Sequence, residues 1–117
     1  MKESISRFLP LSPAALHILL ALASEDLHGY GILLEVARQS EGHYKLGPGT
    51  LYDNLRKLMT QRCVEEAQRR SAEDDSRRRY YRLTGLGRRV LAAEVARLEG
   101  VVRDAKGFLL GTKPKRA

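Results

Sequence analysis

The chain has 117 residues, 43% of them hydrophobic and 30% charged, with a formal net charge of +7. That length suits one compact domain and excludes two ordinary ones, while the basic balance points to an anionic partner, nucleic acid or a membrane surface. The single cysteine, Cys63, excludes an internal disulfide and any zinc site built on several thiolates, and suits a reducing cytoplasm.

Residues 1–10 read as a flexible or partly docked arm. Lys2 and Arg7 precede an apolar run from Ala14 to Ala23, and Ala21-Leu22-Ala23 looks like a signal-peptidase site. Against secretion stand Glu3 among the basic residues, His17 inside the run, and Pro10 and Pro13 ahead of it as helix-start signals. The run is about half the length of a membrane span, so a cytoplasmic location without membrane contact is expected.

Ser12 can cap a helix whose first position is Pro13 and which runs to about Ala23. It is apolar on nearly every side, so it is predicted to be buried all round, with Leu16 and Leu20 facing a second subunit. Ser24 to His28 reads as a short connection. Ile32, Leu33, Val36 and Ala37 place a second helix over Gly29–Gln39, stopped by Glu41-Gly42. Gly47 and Pro48 open a third helix in which Leu51, Leu55, Leu58 and Met59 form one buried stripe, leaving Thr50, Tyr52, Asp53, Arg56 and Lys57 outside. Val64–Arg70 and Arg79–Leu83 read as two strands joined by a polar loop too long for a tight turn. Thr84 then caps a last helix reaching about Leu110, followed by a basic end over 111–117 that is expected to be flexible. Leu91, Val95, Leu98, Val102, Ala105 and Leu109 are spaced four, three, four, three, four, the heptad seam of a two-helix contact.

The order helix, helix, helix, strand, strand, helix predicts a mainly α fold with a small β-hairpin. It is a winged helix-turn-helix over residues 11–83, with a long dimerisation helix over 84–110 in the same compact unit. The third helix would enter DNA, with Pro48, Gly49, Thr50 and Tyr52 at its N-terminus and Arg56 and Lys57 one turn on, reading bases or holding phosphates. Arg77, Arg78 and Arg79 would supply a second contact from the wing, or pair with Glu73, Asp74 and Asp75 of the wing tip. No nucleophile is paired with a base, no phosphate loop is present, and His17, His28 and His43 lack metal-ligand spacing, so neither catalysis, a metal nor a cofactor is expected.

Three segments resemble the PadR-like family of bacterial winged-helix regulators: His28-Gly29-Tyr30-Gly31-Ile32; Gly49-Thr50-Leu51-Tyr52-Asp53-Asn54-Leu55-Arg56-Lys57-Leu58; and Arg78-Arg79-Tyr80-Tyr81-Arg82-Leu83-Thr84-Gly85-Leu86-Gly87. The resemblance spans roughly residues 11–91. It implies a homodimer, operator DNA as partner, and a single C-terminal helix used for dimerisation. Tyr30 matches a position that touches phosphate, or is a buried tyrosine bonded to backbone. Some members bind planar aromatic compounds through a tryptophan on the terminal helix; this chain has no Trp, so that site is not carried over and any small-molecule effector is unspecified. Arg62 stands where the family has Gly, so a left-handed residue there would cost about 1 kcal/mol unless the turn takes another geometry. Cys63 stands where the family has Leu, which predicts a buried, inert thiol over a redox sensor. The expected function is a dimeric repressor on a palindromic operator. The alternative is a winged-helix adaptor without specific DNA binding.

Overall fold

The computed structural model describes residues 4–68 and 78–111. Its order is α1 (Pro13–Ser24), β1 (Leu27–His28), α2 (Gly29–Gln39), α3 (Pro48–Thr60), β2 (Val64–Ala67), β3 (Tyr80–Leu83) and α4 (Gly85–Leu109). The winged helix-turn-helix is therefore present, with all four helices within a residue or two of their predicted bounds.

The caps explain why the boundaries were legible. Ser12 Oγ accepts the Ala15 N–H at 3.1 Å, with Pro13 at the first position of α1. Thr84 Oγ1 accepts the Gly87 N–H at 2.9 Å and starts α4. α2 and α3 both end in a left-handed residue. In α2 the Glu41 N–H donates to Arg38 O and Gly42 N–H to Ala37 O; in α3 the Arg62 N–H donates to Met59 O and Cys63 N–H to Leu58 O. Glu41 and Arg62 have φ of 53° and 66°. The alternative geometry considered for Arg62 is thus not taken: the turn keeps the left-handed form and arginine bears its cost, because two orphan carbonyls of α3 are satisfied that way.

The predicted β-hairpin is present as the antiparallel pair β2–β3, and a third strand joins it. β1 pairs antiparallel with β3, giving the order β1-β3-β2, with Leu27 opposite Tyr81 and His28 opposite Tyr80. A two-residue strand is too short to leave a periodicity, so the segment read as a plain connection. β2 ends at Ala67, before the predicted Arg70; residues 69–77, with Arg77 and the acidic tip, lie outside the described residues.

α1 is the hub and packs on α2, α3, α4 and β3. Ile18, Leu19, Ile32, Val36, Leu51, Leu55, Val64 and Val90 form the centre of the core, and Cys63 is fully buried with them. Of the two readings of the N-terminal arm, flexible or partly docked, residues 4–10 take the docked one. Ile5–Phe8 forms a 3-10 turn, and Ile5, Phe8, Leu9 and Leu11 pack against the core. Of the two flexible ends, residues 1–3 and 112–117 lie outside the described residues. On α4 the buried positions are Leu86, Gly87, Val90, Leu91 and Glu94, and none follows Glu94. No described helix is long and apolar enough to cross a membrane.

Candidate nucleic-acid interface

Three pieces of chain converge on one face: the N-terminus of α2, the exposed side of α3, and the start of β3. The stripe Leu51, Leu55 and Leu58 turns α3 into the core. The period of the helix therefore leaves Gly49, Asp53 and Arg56 pointing away from it. Pro48, Gly49, Thr50, Tyr52, Arg56 and Lys57 are all exposed, as the sequence predicted. α3 begins at Gly47 without a side-chain cap, so its first N–H groups are open to an acceptor.

The exposed side of α3 is divided. Tyr52 and Arg56 border a cleft of about 490 Å³ between α3 and the wing, floored by Leu55, Met59 and Tyr81 and edged by Glu66 and Arg79. Lys57 lies on the other flank with Asn54, beside Phe8 and Pro10 of the arm. Asp53 stands between the flanks and accepts from Arg56 at 3.0 Å.

Tyr52, Arg79 and Tyr81 also line a second cleft of about 300 Å³, with His28, Gly29, Tyr30 and Arg78 on its far side. Tyr30 is 64% exposed, which removes the reading of a buried tyrosine bonded to backbone. Gly29 is buried beneath Tyr52: a Cβ there would stand 2.2 Å from the Tyr52 hydroxyl oxygen. Glycine at this position lets the tyrosine lie across the start of α2. Burial raises the Tyr81 hydroxyl pKa above its ordinary value, reinforced by Tyr52 and Glu66 and opposed by Arg79. Tyr81 therefore remains a neutral donor.

His28 is a residue of this face that sequence reasoning did not select. Its Nδ1 accepts the Gly31 N–H at 3.1 Å and caps α2. Its Nε2 stands 3.1 Å from Arg78 Nη1, which places the guanidinium against the imidazole on this face. His28 also meets the Tyr80 ring edge-on at 5.2 Å between centroids. The sequence signals were its place just before Gly29 and at the head of the first family-like segment, and histidine is not among the usual capping residues.

The wing arginines are held by β2. Arg79 pairs with Glu66 at 3.3 Å and Arg82 with Glu65 at 2.8 Å, across the β2–β3 register that sets Glu65 opposite Arg82. Pairs this exposed contribute about 0–1 kcal/mol. They orient the guanidinium groups while leaving them able to exchange a carboxylate for a phosphate. Sequence reasoning assigned the acidic partners to the wing tip; among the described residues they come from the neighbouring strand.

The predicted dimer seam separates into two parts. Leu91 is buried in the protomer's own core, and Leu16 and Leu20 are partly buried against it. From Val95 onward the stripe is open: Val95 is 39%, Val102 50% and Leu109 81% exposed. Ala105 is exposed too, as are Val101, Phe108 and Leu110 beside the seam. A shallow groove of about 470 Å³ runs along Val95, Leu98 and Val102, flanked by Glu99, Arg103 and Lys106. Among the described residues no group of three His, Cys, Asp or Glu is placed to hold a metal ion.

The chain is similar to known regulators over most of its length. The profile of the Transcriptional regulator PadR-like family matches residues 18–93. Transcriptional regulator Rv3488 of Mycobacterium tuberculosis is 35% identical over 92 residues, covering 79% of this chain and 81% of that one. A PadR family transcription regulator from Clostridium difficile superposes with a TM-score of 0.71 at 21% identity, over 84% of this chain and 99% of that one. Bacillus subtilis PadR, solved in complex with operator DNA, superposes with a TM-score of 0.62 at 20% identity, over 74% of this chain and 48% of that one.

Proposed function

The chain belongs to the PadR-like family of transcriptional regulators, a family of regulators and not of enzymes, and on that footing we propose that it is a cytoplasmic repressor that binds a palindromic operator as a homodimer. The observation that carries the reading is the convergence of Tyr52 and Arg56 of α3, Tyr30 and His28 at the start of α2, and Arg78 and Arg79 of β3 on one face. α3 enters a major groove with Pro48, Gly49, Thr50 and Tyr52 foremost. The open N-terminus of α3 and the Arg78 guanidinium beside His28 grip phosphates. Arg77 belongs to the same wing by sequence. Lys57, on the arm side of α3, holds the opposite backbone strand.

The partner copy covers α4 from Val95 to Leu109 and the outer side of α1 at Leu16 and Leu20. Val95, Val101, Val102, Phe108 and Leu109 of this one helix are exposed in the protomer, and a second copy supplies the same stripe. A small-molecule effector would act by shifting the distance between the two recognition helices.

Footprinting on DNA upstream of the chain's own gene, at fixed salt, tests the reading. Protection of an inverted repeat, lost when Tyr52 and Arg56 are both replaced by Ala, supports it. Binding without sequence preference at physiological salt would instead favour the adaptor alternative.

A further inference from the structure

Glu94 is a charged residue that the DNA-binding face does not use. Its side chain is 1% exposed, yet it carries a carboxylate. A carboxylate stays buried only where donors replace its water. Here Oε1 accepts from Arg97 Nε at 2.7 Å, and Oε2 accepts from Arg97 Nη2 at 3.0 Å and from the backbone N–H of Leu11 at 3.1 Å. Arg97 lies one turn on along the same helix. Leu11 lies 83 residues away in sequence, in the segment just before Ser12 caps α1.

The place of this contact gives it leverage. Glu94 is the last buried residue of α4; the next residue, Val95, is already 39% exposed. Beyond it the helix continues from Val95 to Leu109 with no fully buried residue, Leu98 being half-buried. That overhang is about 22 Å long at 1.5 Å per residue. α1, to which Leu11 leads, packs on both α2 and α3 and so moves with the recognition helix. The direction of the overhang relative to the DNA-binding face is therefore set where α4 leaves the body. The hydrogen bond from Leu11 is directional, as apolar packing is not.

We propose that Glu94 is a positioning residue for operator choice: by locking α4 to the base of α1, it sets the half-site spacing that the dimer reads. The inference rests on the dimeric, operator-binding reading above. A tilt of roughly 10° at Glu94 would move the end of the overhang by about 4 Å, on the order of one base-pair step. A dimer joined through that overhang would transmit the tilt to both recognition helices. Glu94 touches no DNA, so the effect falls on spacing and leaves each half-site contact unchanged.

The test uses the full chain and duplexes in which the footprinted half-site is repeated in inverted orientation with spacers differing by one base pair. Wild type is compared with Glu94→Leu, which removes both acceptors, Glu94→Gln, which keeps one for Leu11, and Arg97→Met, which removes the fork but leaves the carboxylate. Light scattering and binding to a single half-site are measured alongside. Wild type is expected to show a sharp optimum. In Glu94→Leu the ratio of affinities between the best and next spacers is expected to fall by about threefold or more, or the optimum to shift by one base pair. Glu94→Gln and Arg97→Met should lie between, and remain readable if the leucine variant does not fold. Dimer and half-site affinity should be unchanged. An unaltered spacer profile in folded dimeric variants overturns the inference, as does loss of the dimer itself. A flat profile in wild type overturns the underlying reading instead.

Discussion

Gly29 and Tyr52 form a pair whose two members have different duties. Tyr52 crosses the start of α2 because Gly29 has no side chain to obstruct it. The Tyr52 ring is 47% exposed, so it can swing away when obstructed. Gly29→Ala is therefore expected to leave the melting temperature nearly unchanged and to lower operator affinity by about tenfold, the scale of one or two lost contacts. Fluorescence anisotropy on a labelled operator, with thermal unfolding in parallel, would separate the two effects. Glu94 gives a residue-scale prediction of another kind. Arg97, against the opposing effect of burial, holds its carboxyl below the ordinary carboxylate pKa, with Leu11 adding to the lowering. A depressed pKa contributes stability that is fully present above the unfolded value and is lost as the pH falls through the folded one. Urea unfolding of wild type and Glu94→Gln should thus differ at neutral pH, with the gap closing on acidification. An equal gap at all pH values would show that the charge is not what stabilises. Both features escaped the sequence for one reason. Gly29 and Tyr52 are 23 positions apart and Glu94 and Leu11 are 83 apart, so neither pair leaves a local pattern.

Among the elements, α4 is held at its first turn by the end of α3. Thr84 Oγ1 donates to Arg62 O at 2.6 Å while its N–H donates to Cys63 O at 3.1 Å. Gly87 closes the joint, since a Cβ there would stand 2.1 Å from the Cys63 carbonyl oxygen. That obstacle is backbone and cannot rotate away as Tyr52 can. Gly87→Ala is expected to destabilise the fold by about 3 kcal/mol, near the upper end for a forced insertion into a packed site. Chemical denaturation would read it, and a loss under about 0.5 kcal/mol, the range of an ordinary surface change, would mean that the joint is slack. The same elements show how far sequence reading reaches. The helices were legible because Ser12, Pro13, Pro48 and Thr84 are local start signals and their apolar stripes repeat at 3.6 residues. β1 was not, because its two residues are defined by pairing with β3 and by nothing in their own order. The wing showed its arginines but not their carboxylate partners, since Glu65 and Glu66 come opposite β3 only through the strand register.

For the whole molecule, the long axis of α4 matters most. A helix of 25 residues with burial only in its first ten positions is half inside a protomer and half outside it. The outer half carries the half-buried Leu98 and the exposed Val95, Val101, Val102, Phe108 and Leu109, a stripe open to water in a monomer. Leu98→Asp places a charge at the centre of that seam. It is expected to convert a dimer into a monomer by light scattering and to weaken operator binding, because one half-site alone must then hold the protein. A variant still dimeric would show that the copies meet elsewhere. The excess of positive charge acts at the same scale. Operator affinity should fall steeply with salt, since each phosphate contact releases counterions.

By itself, the sequence determined the number, order and bounds of the helices, the winged helix-turn-helix they compose, and the residues exposed on α3. Each of these depends on neighbours a few positions apart, through helical period, capping and turn chemistry. Only the tertiary structure decided that the arm docks and that Leu91 belongs to the core. It also brought His28 against Arg78 and buried Glu94 at the base of the overhang. These are contacts between segments far apart in the chain, or consequences of which surface remains once the core has closed. The resemblance pointed to the proposed DNA-binding face; how its side chains are oriented followed from packing alone.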